Sequence, residues 1–322
     1  MNPEIIVSNL TNPTLLFFVL GIVAALIRSD LEIPPQISKF LSLYLLFSIG
    51  FRGGMELAHS GFTREVILTL GLAVGMAILV PFYSYFILRR KLDVYNAGAL
   101  AATYGSVSAV TFVTASAFLA DKQIPFGGHM VAAMALMESP AIIIGVTLIR
   151  FFSKDQVSQP RQGIGHILRE AFSNGSVLMI LGSLIIGMVA DEKQAEGIKP
   201  FTSDIFKGFL AVFLLDMGII AAKRFRSFGR AGWFLPLFGI IIPVINAAIA
   251  IFIAHSLGIS DGNAFLLAIL ASSASYIAVP AALRLAIPEA DPGLYIPMAL
   301  AITFPFNLVV GVPMYFWLLH IL

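Results

Sequence analysis

Two short strings place hydroxyl groups in the middle of apolar stretches. The first is Tyr104-Gly105-Ser106-Val107-Ser108, inside residues 94–119. The second is Ser272-Ser273-Ala274-Ser275-Tyr276, inside residues 262–286 and followed by Pro280. An unbroken membrane helix satisfies its own backbone, whereas a helix interrupted inside the bilayer exposes N–H groups that can hold an ion. The half-helix after each break starts with free amides and about half a positive elementary charge. Two such ends offer roughly one positive charge, a match for a small monovalent anion. The hydroxyls of Ser106, Ser108, Ser273 and Ser275 add donors, and a planar oxyanion uses several donors at once. The anion site read from these strings is Gly105, Ser106, Val107, Ser108, Ser273, Ala274, Ser275 and Tyr276.

Dipoles alone do not hold an anion there. Each helix end contributes about 0.3–2 kcal/mol, while stripping water from a charge costs several kcal/mol. A cation bound close by offsets much of the difference, and each ion then stabilises the other. Ion-coupled symport follows, and hard oxygen ligands suit sodium. Its candidate ligands are Thr103, Ser272, Thr303, Asn307 and the carbonyls at the breaks. Two acids inside apolar segments, Glu138 and Asp216, join them, because an intramembrane carboxylate is costly and functional by default. The alternative for each acid is a protonated or arginine-paired structural group.

The elements that position these residues are membrane helices. Hydrophobic residues make up 58% of the 322 and charged residues only 12%. Mean hydropathy is +0.92, far above an ordinary globular domain. About 20 apolar residues cross a bilayer, so the chain has room for about ten spans. They read as 13–28, 35–51, 65–88, 94–119, 127–152, 173–190, 204–222, 232–256, 262–286 and 294–320. The fourth and ninth are broken. Cations such as Arg28, Arg89, Arg90, Lys91, Arg150, Arg161, Arg169, Lys223, Arg224 and Arg284 fall on one side, outnumbering Arg52, Arg64, Lys122, Lys193, Lys199 and Lys207 on the other. The richer side faces the cytoplasm, which puts both termini outside.

The polar segment 153–172 is the one substantial linker. It separates residues 1–152 from 173–322, five spans each. Ser48-Ile49-Gly50 falls where Asp216-Met217-Gly218 falls. Asn96-Ala97 and Asn263-Ala264 each lie ten residues before a break serine, Ser106 and Ser273. Ile124-Pro125 answers Ile287-Pro288, and Glu138-Ser139-Pro140 answers Thr303-Phe304-Pro305. An odd number of spans per copy inserts the second upside down, as in secondary transporters. The fold expected is an all-α integral membrane protein of two inverted five-helix repeats, with the broken fourth and ninth helices crossing at the midplane.

Other residues read as packing. Gly50, Gly53 and Gly54 permit close helix approach, and Asn246 is interhelical glue. His129 and His255 are placed at membrane interfaces, and Phe112 and Phe304 as walls of a site. A net charge of +2 and the lack of a basic stripe give no reason to expect nucleic acid. Without cysteine, disulfides and thiolate metal sites are excluded. The five His show no metal-binding pairing, so no transition-metal site is expected. No enzyme motif appears, and no cofactor beyond the coupling sodium ion.

The strings Gly105-Ser106-Val107-Ser108 with Asp121-Lys122-Gln123-Ile124-Pro125, and Ala271-Ser272-Ser273-Ala274-Ser275 with Leu283-Arg284-Leu285-Ala286-Ile287-Pro288, resemble the sodium-dependent bicarbonate transporters of SbtA type. Ile49-Gly50-Phe51-Arg52-Gly53-Gly54 resembles that family's glycine-rich second span. The resemblance implies sodium-driven uptake of bicarbonate by an elevator-type core, and a homotrimer in the bacterial inner membrane. It also implies a PII-like regulatory partner at the cytoplasmic face. The chain departs from the family in its short central loop and at Tyr276, where the family carries an acid shortly after the serines. Tyr276 and nearby Phe residues leave room for a larger organic anion, such as a bile-acid-like carboxylate. An ion channel also uses broken helices.

Overall fold

The computed structural model describes residues 11–61, 63–153, 175–227 and 232–321. The central linker, save Ser153, lies outside the described residues, as do Arg161, Arg169 and Arg230. Among the described residues all regular structure is helical. The helices are Pro13–Leu26 (α1), Pro35–Ser60 (α2), Arg64–Leu88 (α3), Val94–Gly105 (α4), Ala109–Asp121 (α5), His129–Phe152 (α6), Gly175–Val189 (α7), Glu192–Lys199 (α8), Phe206–Ser227 (α9), Phe234–Ser256 (α10), Asp261–Ser272 (α11), Ala278–Ala286 (α12) and Pro292–Leu319 (α13). Among the described residues, seven helical stretches are long and apolar enough to cross a membrane. Three shorter apolar helices, Pro13–Leu26, Gly175–Val189 and Asp261–Ser272, accompany them. The chain is a multi-pass membrane protein.

Local chemistry sets the helix starts. Asn12 accepts from the Thr14 amide ahead of Pro13, and Thr63 accepts from the Val66 amide. Asp93 accepts from the Asn96 amide, and Asp291 from that of Gly293. Each satisfies an amide that has no partner inside its helix. Within α13, π-helical turns at Met298–Thr303 and Asn307–Gly311 flank Phe304-Pro305-Phe306. Pro305 has no N–H to give, so the regular ladder cannot run through it.

Two helix pairs are built by the same device. α2 packs along α7 and α9 along α1. A Cβ on Gly54 would lie 2.0 Å from the Leu184 carbonyl oxygen, and one on Gly187 would lie 2.1 Å from that of Phe51. In the other pair, a Cβ on Gly21 would lie 2.1 Å from the Leu215 carbonyl oxygen, and one on Gly218 would lie 2.2 Å from that of Phe18. Without side chains at these points the backbones touch, which is how helices gain contact when lipid supplies no hydrophobic drive. The remaining helices form a second group: α3, α4 and α6 pack on one another, and α10 packs on α11 and α13.

Two elements differ from the sequence reading. α2 continues nine residues past the expected end at 51, and α8 was not foreseen. Arg52, Glu56 and His59 read as the end of an apolar run, but the glycine contacts with α7 carry the helix on to Ser60. α8 is short and charged, with Asp191 capping the Lys193 amide. His129, placed at an interface by sequence, is instead buried.

Gly54→Ala is predicted to lower the melting temperature in detergent, since overpacking costs about 1–3 kcal/mol. Gly71 is exposed and its Cβ would meet nothing within 4 Å. Gly71→Ala therefore leaves the melting temperature unchanged or raises it. Thermal unfolding of the two purified variants checks the pair.

Candidate functional site

α4 ends at Gly105 because the next residues are extended: Ser106 has φ −87° and ψ −175°, and Ser108 has φ −106° and ψ 109°. The chain re-enters helix at Ala109, where the Ser108 hydroxyl accepts from the Thr111 amide at 3.2 Å. Gly105 cannot carry a side chain, since a Cβ there would stand 2.5 Å from the Pro81 ring. In the second string α11 ends at Ser272, Ser273 is extended, and helix resumes at Ala278. There the Ser275 hydroxyl accepts from the Val279 amide at 3.3 Å.

The two strings meet. The Ser108 amide donates to the Ser273 hydroxyl at 2.8 Å, and the Ser275 amide donates to the Thr103 carbonyl at 2.9 Å. Each string thus gives one amide to the other. α11 packs against α5, and α12 against α4. The outer ends are pinned in the same way. Asn96 at the start of α4 accepts from the Asp291 amide at 2.8 Å, and Asn263 at the start of α11 accepts from the Gly127 amide at 2.8 Å. Asn246 adds a further tie, donating to the Ala271 carbonyl at 2.9 Å and accepting from the Tyr83 hydroxyl. It is the glue expected of it.

The polar groups here fall into three kinds. Some hydroxyls return their proton to their own helix: Thr103 to the Ala99 carbonyl, Ser272 to that of Ile269, and Ser273 to that of Leu270. Such oxygens can only accept. Ser273 already accepts from Ser108, whereas Thr103 and Ser272 keep free lone pairs. A second kind keeps its proton: the buried hydroxyls of Ser106 and Tyr276 have no hydrogen-bond partner. The Tyr276 ring packs edge-on against Phe304, at 5.6 Å between centroids, and its hydroxyl lies beside Ser108. The third kind is backbone. Among the described residues, the amides of Val107, Ala109, Val110, Ala274 and Tyr276 have no acceptor. Ala109 and Val110 open α5, where amides have no acceptor within the helix, and the others lie in the extended strings.

The remaining predicted residues are used differently. Thr303 donates to the Gly239 carbonyl at 2.8 Å and pairs with the Tyr104 hydroxyl at 2.7 Å. Asn307 donates to the Ser272 carbonyl at 2.8 Å and accepts from Tyr315 at 2.9 Å. One helical turn apart on α13, they brace the ends of α4 and α11. Asp216 is buried on α9 and accepts from Ser38 of α2, which ties it to the glycine-packed pairs and not to the serines. Glu138 is half-buried on α6, and no hydrogen bond or ion pair holds it among the described residues. Sequence reasoning missed Tyr104, Thr111 and the pinning role of the asparagines. The equal ten-residue spacing of Asn96 and Asn263 from the serines was the available signal for the last.

Residues 13–320 match the model of the Na+-dependent bicarbonate transporter superfamily. The chain belongs to this superfamily. Comparison with curated proteins returned no relative. The match spans both strings, the asparagines that pin them and the glycine-packed pairs, so the polar cluster lies inside the shared core of a transporter family.

Ser273→Ala strands the buried Ser108 amide, a loss of about 1–3 kcal/mol. It should lower the melting temperature of the ligand-free protein. Ser106→Ala removes a hydroxyl that no protein group uses and should leave that temperature unchanged. Unfolding curves in a buffer free of sodium and bicarbonate separate the two.

Proposed function

We propose that this protein is a secondary active transporter that takes up bicarbonate with sodium, holding both ions where the two serine strings meet. The observation that carries the reading is the set of unpaired donors on the two strings that meet: five amides and the buried Ser106 and Tyr276 hydroxyls. Donors without acceptors fit an anion with several oxygens. Beside them, Thr103 and Ser272 offer oxygens that can only accept, which fits a cation. The anion side and the sodium side thus differ by where each hydroxyl sends its proton. The serines are 0–4% exposed, which favours a small anion over a bulky carboxylate.

The architecture behind this reading is ten spans in two inverted repeats, with the fourth and ninth helices broken and crossing. The reciprocal contacts support it. Gly50 and Gly218 play matching parts in their helix pairs, one against the Ile180 carbonyl and the other against that of Phe18, as do Asn96 and Asn263 at their loops. Inverted copies meeting across one axis produce such matched contacts. In this arrangement α1, α2, α7 and α9 form a gate, and the other helices form a core that carries the ions past it. The orientation has both termini outside and the central linker in the cytoplasm, with the bacterial inner membrane as its setting. A homotrimer and a PII-like partner at the cytoplasmic face complete the proposal.

The mechanism follows from the charge balance. An anion entering alone loses its water and meets only dipoles. Sodium at the Thr103 and Ser272 oxygens places a full charge nearby, so each ion raises the affinity for the other. An empty or fully loaded core moves, whereas a half-loaded one carries an uncompensated charge that resists crossing an apolar gate.

Labelled bicarbonate should accumulate in proteoliposomes only under an inward sodium gradient. Ser106→Ala and Ser108→Ala should each reduce initial uptake by about tenfold, the loss of roughly one charge-assisted hydrogen bond. Uptake indifferent to sodium overturns the coupling, and normal uptake by both variants overturns the site.

A further inference from the structure

Two adjoining cavities, of about 560 and 440 Å³, share Arg52, Glu56 and Ser203 in their walls. The second reaches Ser116 on α5. Ser116 is eight residues beyond Ser108, or about 12 Å along the helix at 1.5 Å per residue. The cavities therefore lead from the protein surface toward the first serine string, between α2 and α5. Their rim carries Lys193, Lys199 and Lys207 together with Glu192 and Glu196, on the side that the charge asymmetry places outside.

Arg52 is built into this passage. Its guanidinium lies over the Phe206 ring, 4.6 Å from the centroid, and its Nε donates to the Ser48 carbonyl at 3.4 Å. Among the described residues no carboxylate comes within ion-pair distance of it. Its two terminal amino groups remain without a partner, on a side chain held in place by a ring and a carbonyl. Lys207, by contrast, is paired with Asp121. Glu56, one turn further along α2, lines the same walls with Asp204, so the passage as a whole is not a cationic funnel. What it offers an anion is one oriented fork, and a guanidinium fork matches a planar oxyanion in a bidentate manner.

We infer that Arg52 forms an outer capture site for a planar monovalent oxyanion, in the passage between α2 and α5, at which bicarbonate pauses before reaching the serine strings. The inference deepens the transport reading and rests on its orientation. The inner site provides tight, sodium-dependent binding. The outer one is weak and independent of sodium, and it raises the rate of entry. Glu56 competes for the guanidinium and keeps the capture weak enough to release.

The first test does not need transport. Phenylglyoxal, an arginine reagent, modifies Arg52 in the purified protein, and mass spectrometry reads the extent. Bicarbonate in sodium-free buffer should slow that modification several-fold, in the wild type and in Ser106→Ala alike, whereas chloride at equal ionic strength should not. No protection, or equal protection by chloride, overturns the outer site. Loss of protection in Ser106→Ala also overturns it, since the effect would then belong to the inner site. The second test is kinetic. Arg52→Gln should raise the KM for bicarbonate about tenfold, within the range of electrostatic effects on association, with maximal uptake preserved. Glu56→Gln should lower the KM, which a purely structural role for the Arg52–Glu56 neighbourhood would not do. An unchanged KM in both variants, or a raised KM in Glu56→Gln, refutes the assignment.

Discussion

Backbone amides in the middle of a membrane must find acceptors, and the whole arrangement follows from leaving a few without. Water cannot reach them and lipid offers nothing. Two strings that break helix there would each strand several donors. Two are rescued by exchange, Ser108 to Ser273 and Ser275 to Thr103. Two more are rescued by serine caps, at Thr111 and Val279. The surrounding helices make the exchange rigid. Asn96 and Asn263 hold the outer loops, Asn307 and Thr303 hold the helix ends, and Asn246 holds the segment between. Several amides of the two strings remain without an acceptor.

Much of this was legible in the sequence. Serine and glycine in mid-span signalled the breaks, because those residues have no reason to interrupt an apolar run. The ten-residue offset from asparagine to serine marked the matched ends. Glycines at 50, 53 and 54 were read as contacts between helices, and the structure gives them that role. Hydrogen-bond direction was not legible. Ser106 and Ser273 hold the same place in their strings, and nothing in the chain says that one accepts an amide while the other stands free. Asp216 and Ser38 are far apart in sequence, so their pairing needed the fold. The extra length of α2 was hidden by Arg52, Glu56 and His59, whose charges mimic a helix leaving the membrane when they in fact line a cavity.

The two helix groups join through one ring contact and through Asp121 of α5, which accepts from Lys207 of α9 and from Asn12 at the start of α1. Phe18 on α1 meets Phe304 at 5.6 Å, edge to face, and Phe304 in turn meets Tyr276 at the second string. Aromatic contacts of this kind tolerate small displacement, since their energy is spread over many weak atom pairs. The glycine contacts inside the α2–α7 and α1–α9 pairs are the opposite, with backbone on backbone and no slack. Phe304 thus links α1 to Tyr276 of the second string.

In the transport reading proposed above, matched strings raise the question of why there should be one anion site and not two. Perfect symmetry would give each string an equal half-site. The structure breaks it at one hydroxyl. Ser273 is occupied on both sides, accepting from Ser108 and donating to Leu270, whereas its mate Ser106 is buried and free. Tyr276 adds a second free hydroxyl on the other string. The free protons are therefore one from each string, joined by the unpaired amides around them. A single anion can bridge that pair, but two anions would each find half the donors and repel one another at close range in a medium of low dielectric. In the transport reading proposed above, this broken symmetry is what turns two equivalent helix ends into one anion site.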